Sequence, residues 1–516
     1  KALMNSGKSY ALFDVRERGE YNAQQIFTAT SLPRGEIEFR LLSLVPAHNV
    51  PVVAYDEGGE RAFLAAATME RLGYEKVFVL QGGLSAWSGA GYLTVSGVNV
   101  PSKAFGERVH SKTKVPEITP EELQAMRGKK RDLTILDVRT PEEYQRFCIP
   151  GAINVPGGDL IHWAEALREK PDGTVVVNCA GRTRSIIGTA ALRRLGLTNV
   201  CALRNGTMGW TLAGLDLEHN PTRETPMPSP ESSKQAGLLA QRVEVEEGIP
   251  LISVPELLNL RNEAELKVLY LIDVRSEGEY AAGHIPGFMN IPGGQAVQRT
   301  DDYIAVRGGQ IIFISHGQSR AVMAAYWYRQ MGFKKVAVLK GGIRSWAERG
   351  QTLVTGISAE EPVGLKEARK SARLIEPATL ARQLRLNPTV ILDVGSSSSF
   401  EVSHLPGAFW VSRGLLEPKV PTAFPDRRKP ITVTCANGHH SVLAASSMGE
   451  LGYEQVSVLD GGVRAWSAAG YLTEEGLGGC LIQPSDVVVS PSITGDKAAM
   501  KRYLAWEVEL TGSLEE

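Results

Sequence analysis

Cys179 closes a short apolar, β-branched run, "TVVVN", and is followed by Ala180, Gly181, Arg182, Thr183 and Arg184 before a helical pattern starts. A side chain at the carboxyl end of a buried parallel strand stands where open α/β sheets bind their ligands. A tight loop there can turn successive backbone N–H groups inward as an anion-binding nest. The helix that follows points its positive end at the same place. Such a setting predicts a depressed thiol pKa and a cysteine held largely as thiolate. Arg182 and Arg184 add fixed positive charge, so the loop is expected to hold an anionic sulfur and to attract a small oxyanion.

The elements that must position this loop recur along the chain. "LFDVRERGEY", "ILDVRTPEEY", "LIDVRSEGEY" and "ILDVGSSSSF" each open a unit, and "LQGGLSAW", "LRNGTMGW", "LKGGIRSW" and "LDGGVRAW" each close one. Asp14 to Trp87, Asp137 to Trp210, Asp273 to Trp346 and Asp393 to Trp466 are all 73 positions apart. These are whole domains in tandem, each with room for its own core. The expected bounds are 1–95, 112–218, 248–355 and 372–475, with a tail over 476–516.

Within the second unit, "TILDV", "AINVP", "TVVVNC" and "NVCAL" read as short buried strands. "TPEEYQRF" reads as a helix with Thr140 as N-cap and Pro141 at its first position. "GDLIHWAEALREK", the stretch with Ile186, Ile187, Ala190, Ala191 and Leu195, and "TMGWTLAG" read as further helices. Alternating strands and helices predict an α/β fold, each domain a small parallel sheet with helices on both faces. The first unit has only 13 residues before its aspartate and is expected to lack an opening turn. The chain begins at Lys1, so its true N-terminus and any targeting peptide are left open. The longest linker carries the Pro- and Ser-rich "NPTRETPMPSPESSKQ", which predicts a loose connector between a 1+2 pair and a 3+4 pair. The tail stretch "GDKAAMKRYLAWEVEL" reads as a helix packed on a domain.

Counting 42 positions from each aspartate reaches Asp56, Cys179, Ser315 and Cys435, opening loops "DEGGER", "CAGRTR", "SHGQSR" and "CANGHH". The DVR phrase, the "CIPGAINVP" and "HIPGFMNIP" phrases, the Cys loop and the L-x-G-G-x-x-x-W close together resemble the rhodanese family over nearly the whole chain. The resemblance implies sulfur transfer from a donor such as thiosulfate to cyanide or a thiol, a protein thiol included, through a persulfide on Cys179. It implies that amides from Ala180 to Arg184 cradle the persulfide, that Arg182 and Arg184 hold the donor, and that no cofactor or metal takes part. Cys435 is the second candidate, with Asn437, Gly438, His439 and His440 lining its loop. His440 stands where the other loops have arginine, which predicts weaker handling of thiosulfate.

Asp56 and Ser315 carry no persulfide, so domains 1 and 3 are expected to act as scaffolds that cover their neighbours' clefts. A scaffold role for the whole chain is one rival; 3-mercaptopyruvate or a small persulfide as donor is another. A cysteine-dependent phosphatase would need Cys-x5-Arg, where this chain has Cys-x4-Arg. Ser315 beside His316 on one tight loop makes a poor hydrolase dyad. The Cys-x3-His-His of the fourth loop lacks a convincing metal geometry. Cys148, Cys201 and Cys480 read as packing or incidental. Asp137, Arg139 and the acids near Tyr144 read as caps and ion pairs, and the four tryptophans as packing anchors.

Bulk properties set the frame. The 516-residue chain is 43% hydrophobic and 22% charged, with a net charge of −1. That balance predicts no general attraction to nucleic acid or membrane surfaces. Five cysteines without a C-x-x-C are too few for a disulfide framework, and they predict a reducing compartment, the cytoplasm.

Overall fold

The computed structural model describes residues 1–128, 132–168, 173–223, 228–263, 267–357, 361–386 and 389–513. Each repeat forms its own parallel sheet because its strands are short, apolar and joined by helical crossovers. In the second repeat the order across the sheet is Glu117–Ile118, Val200–Leu203, Thr174–Asn178, Leu133–Asp137, Ile153–Asn154. The third and fourth repeats have the same five-stranded order; the first has four strands, without the short edge strand that precedes the DVR strand elsewhere. The register sets Asn178 opposite Asp137, so the two central strands end level and Cys179 emerges at the rim.

The DVR phrase is built from local polar chemistry. Arg139 lies back on Asp137 through Nε and Nη2, at 2.9 and 2.7 Å, and donates to the Phe147 carbonyl. Arg16 on Asp14 and Arg275 on Asp273 repeat the arrangement. The helix Pro141–Arg146 starts at Thr140, whose hydroxyl accepts from the Glu143 N–H while the Glu143 side chain returns to the Thr140 N–H, a capping box. Trp87, Trp210, Trp346 and Trp466 are buried in the four cores.

The domains pair differently from the expected order. One compact unit comprises Lys1–Val98 with Ala359–Val488, the other Asn99–Ser358 with Val489–Glu516. The first repeat is therefore partnered by the fourth and the second by the third. In each unit the same face is used. A Cβ on Gly158 would lie 3.0 Å from the Gly293 Cα, and one on Gly35 would lie 2.9 Å from the Gly414 nitrogen. Only glycine lets two backbones approach so closely.

The middle linker is also not loose. Residues 224–227 lie outside the described residues, but Pro230–Glu247 is an 18-residue helix capped by Ser229. Its buried Ala236, Leu239, Ala240 and Val243 pack against the helices Leu160–Arg168 and Ser319–Gln330. It joins the second repeat to the third, which explains why they form one unit. The tail helix spans Lys497–Ser513. Among the described residues no helix is long and apolar enough to cross a membrane.

Candidate active site

The four strand-end loops stand at the same place in their repeats and differ in what fills them. In the first repeat the Asp56 carboxylate does so. Its Oδ1 accepts from the Gly58 and Gly59 N–H groups at 2.7 and 2.9 Å, and its Oδ2 from Ala62 N–H at 3.1 Å. The loop is thus an anion nest that here folds around its own side chain. In the third repeat the Ser315 hydroxyl accepts from the Ala321 N–H at 3.4 Å. In the fourth, the Cys435 sulfur accepts from the Gly438 N–H at 3.2 Å and lies 3.6 Å from the Ser441 hydroxyl.

Cys179 is 2% exposed, and its sulfur lies 3.5 Å from the Ser185 hydroxyl, which itself donates to the Arg182 carbonyl. Burial pushes the thiol pKa up, and the Glu507 charge adds to that; the Arg184 charge and the Ser185 side-chain and backbone hydrogen bonds pull it down without prevailing. The expected depressed thiol is therefore not what this arrangement produces. The reason is the sulfur's buried seat at the strand end, which removes water from it.

Neither arginine stands free beside the sulfur. Arg184 makes a two-pronged pair with Glu143 at 2.6 and 2.8 Å. Arg61 with Glu20 and Arg320 with Glu279 make the same pair in the repeats without a thiol. A contact present with or without cysteine ties the loop to the DVR helix and is structural first. Arg182 turns away to Glu107, at 2.7 and 2.9 Å, on the linker helix Val100–Thr113. In the fourth repeat Ser399 and His440 replace the glutamate and arginine together. His440 stacks on Phe39 at 4.2 Å. Burial and the Arg413 charge hold its pKa down at about 4, so it is neutral at pH 7 and the loop carries no fixed positive side chain.

The cover of the Cys179 loop consists of the linker helix, which the sequence did not mark, and the tail helix, which the sequence marked as packed on a domain without tying it to this loop. Thr183 presses on Gly106 of the linker helix, where a Cβ would lie 2.9 Å from its methyl carbon. From the tail helix, Glu507 accepts from the Thr183 hydroxyl at 2.5 Å and its N–H at 3.4 Å. Met500 and Leu504 pack on Met208. Lys103 lies over the rings of Tyr503 and Trp506, 4.8 and 4.7 Å from their centroids. Sequence spacing gives no signal for these contacts, since Glu507 meets Thr183 across 324 positions.

The remaining thiols fit packing roles. Cys148 and Cys201 are buried, and burial pushes each up to about 11.

Comparison with known proteins now decides the family. The Rhodanese-like domain matches residues 1–90, 119–213, 253–349 and 376–469. The chain belongs to the rhodanese-like family. A crystal structure of thiosulfate sulfurtransferase from Pseudomonas aeruginosa superimposes with a TM-score of 0.93 at 37% identity, covering 99% of this chain and 96% of that one. Thiosulfate sulfurtransferase GlpE of Ectopseudomonas mendocina is 32% identical over 88 residues, 17% of this chain and 79% of GlpE. YrkF of Bacillus subtilis is 37% identical over 78 residues, 15% of this chain and 41% of its own length. The chain thus spans less than half of YrkF, while each rhodanese-like repeat is close in size to GlpE. The rhodanese-like domains are four in number, in α/β tandem.

Proposed function

We propose that the chain is a thiosulfate sulfurtransferase that carries sulfane sulfur as a persulfide on Cys179. The observation that carries this reading is the sulfur at the strand mouth, held over the Ser185 hydroxyl with the Arg184 charge drawing on it. The likeness to a thiosulfate sulfurtransferase over 99% of the chain supports the donor. In the first step the Cys179 thiolate attacks the outer sulfur of thiosulfate, the S–S bond of the donor breaks, and sulfite leaves with the electron pair. In the second, cyanide or a thiolate attacks the terminal sulfur and the Cys179 thiolate is released. This is double displacement with ping-pong kinetics. The amides from Ala180 to Arg184 hold the terminal sulfur. Arg184, locked to Glu143, contributes a fixed field, and Arg182 reaches the donor only by leaving Glu107. Free cysteines support a reducing compartment.

A second reading places the persulfide on Cys435, favoured by the Gly438 N–H already on that sulfur. Asn437, His439 and the neutral His440 then line a site with no fixed cation, suited to a less charged donor such as 3-mercaptopyruvate or a small persulfide. Domains 1 and 3 are scaffolds in either case.

Intact-protein mass spectrometry after thiosulfate, with peptide mapping, tests both. One added sulfur on the Cys179 peptide, lost in Cys179→Ser, is the expected result. Addition only at Cys435 selects the second reading, and addition at neither leaves the scaffold reading.

A further inference from the structure

The first repeat shows what its nest wants: a carboxylate on three inward amides. The second repeat has no acid of its own there, yet a carboxyl group reaches the same loop at Thr183, beside rather than on the amides of Gly181, Arg182 and Ser185 that match those holding Asp56. Glu507 enters from the tail helix, 1% exposed. Its Oε1 takes the Thr183 hydroxyl and N–H. Its Oε2 has no hydrogen-bond partner among the described residues and lies 3.2 Å from where a Cβ on Gly181 would be. Tyr503 flanks the same point at 3.5 Å. A buried carboxylate with one unsatisfied oxygen is costly, so something must hold it. Burial raises its pKa; the Lys103 charge, the Thr183 hydrogen bond and the Arg182 charge pull it back without prevailing, and the apolar contacts of Met500 and Leu504 hold the helix in place.

We infer that Glu507 is a built-in competitor for the anionic sulfur donor, occupying the rim of the Cys179 nest so that donor binding and withdrawal of the tail helix are one event. This rests on the proposed role of Cys179. Glu507 then sets the donor affinity of the site and discriminates against weakly bound anions, because an entering dianion must displace a carboxyl group already seated. The tail contributes no group to sulfur transfer itself.

The test uses the whole chain, with iodoacetamide as a neutral thiol probe and sulfate as an inert dianion. The concentration of sulfate that half-protects Cys179 from alkylation is measured in wild type and in Glu507→Gln, and the rate at Cys435 serves as the internal control for folding. The expected result is a half-protecting concentration about fivefold or more lower in Glu507→Gln, with Cys435 unaffected. Sulfate is also expected to raise hydrogen exchange over 497–510 in wild type. With Cys179 closed to alkylation in both proteins, hydrogen exchange over 179–185 against sulfate makes the same comparison. Equal sulfate midpoints with a tail indifferent to sulfate would overturn the competitor role. Neither measurement needs sulfur transfer, so a chain that forms no persulfide fails the functional reading without deciding this one. Where transfer occurs, Glu507→Gln lowers the KM for thiosulfate and leaves kcat in place.

Discussion

Asp393 shows how one substitution changes the charge logic of a repeat. In the other three repeats the aspartate that ends the strand is neutralised by an arginine two positions on. Here that position is Gly395, and Trp410 donates its indole N–H to the Gly395 carbonyl. Burial raises the Asp393 carboxyl to about 7, with only the Gly395 N–H pulling it down. The unfolded chain ionises this group near 3.8. The folded state therefore binds a proton that the unfolded state has released, and stability falls as pH rises from about 4 to about 7. Asp393→Asn keeps an acceptor for Gly395 and removes the titration. The expected outcome is a smaller loss of thermal stability between pH 5 and pH 8 than in wild type. Glu143 and Glu279 run the other way. Burial raises each, but the paired arginine outweighs it and holds each at about 2. Their contribution is present above about 4.5 and is lost as pH falls towards 2.

The loop after the central strand is the element on which the family's chemistry turns, and its amides outlast the thiol. In the first repeat they are satisfied by Asp56 alone, so Asp56→Ala leaves Gly58, Gly59 and Ala62 without their acceptor. The expected cost is about 1–3 kcal/mol, with Asp56→Asn in between, read from chemical denaturation. Elements of this kind were legible in the sequence because they are local. The constant 73-position interval from aspartate to tryptophan within each repeat, the Thr140 cap on Pro141 and the strands flanking Cys179 all follow from neighbours in the chain. The site's cover was not legible. Glu107 and Glu507 act on Arg182 and Thr183 from helices far along the chain, and no periodicity reports that. The thiol's electrostatics were misread because the loop's charges are read from neighbours in the chain, while the burial that outweighs them is a property of the folded repeat, with the Glu507 charge added from the tail. The Pro- and Ser-rich linker misled in a different way. Ser229 and Pro230 are helix-starting residues as much as loop residues, and Leu239 and Val243 on the following turns had apolar partners waiting on two repeats.

At the scale of the molecule, the pairing of the first repeat with the fourth follows from reciprocal chemistry. Arg34 reaches Glu417, and Arg413 reaches Glu38 and the Gly35 carbonyl. The two arginines stand 20 positions and the two glutamates 24 positions after their strand-end aspartates, so the contact is self-complementary between duplicated surfaces, as in a two-fold dimer. Gly35 and Gly414 make it possible by leaving the centre of the interface without side chains. A methyl group on Gly35 would meet the Gly414 nitrogen at 2.9 Å and the Arg413 Cβ at 3.1 Å, and backbone does not yield as a flexible side chain would. Gly35→Ala should therefore cost about 1–3 kcal/mol by overpacking. Its signature lies in where the loss spreads. Since a compact unit opens cooperatively, hydrogen exchange measured on the intact variant should rise in peptides of the first and fourth repeats together, although 260 residues, Asn99–Ser358, separate them in sequence. Peptides of the second repeat should keep their protection. Exchange that rises in the first and second repeats while the fourth stays protected would mean that the domains pair in chain order after all.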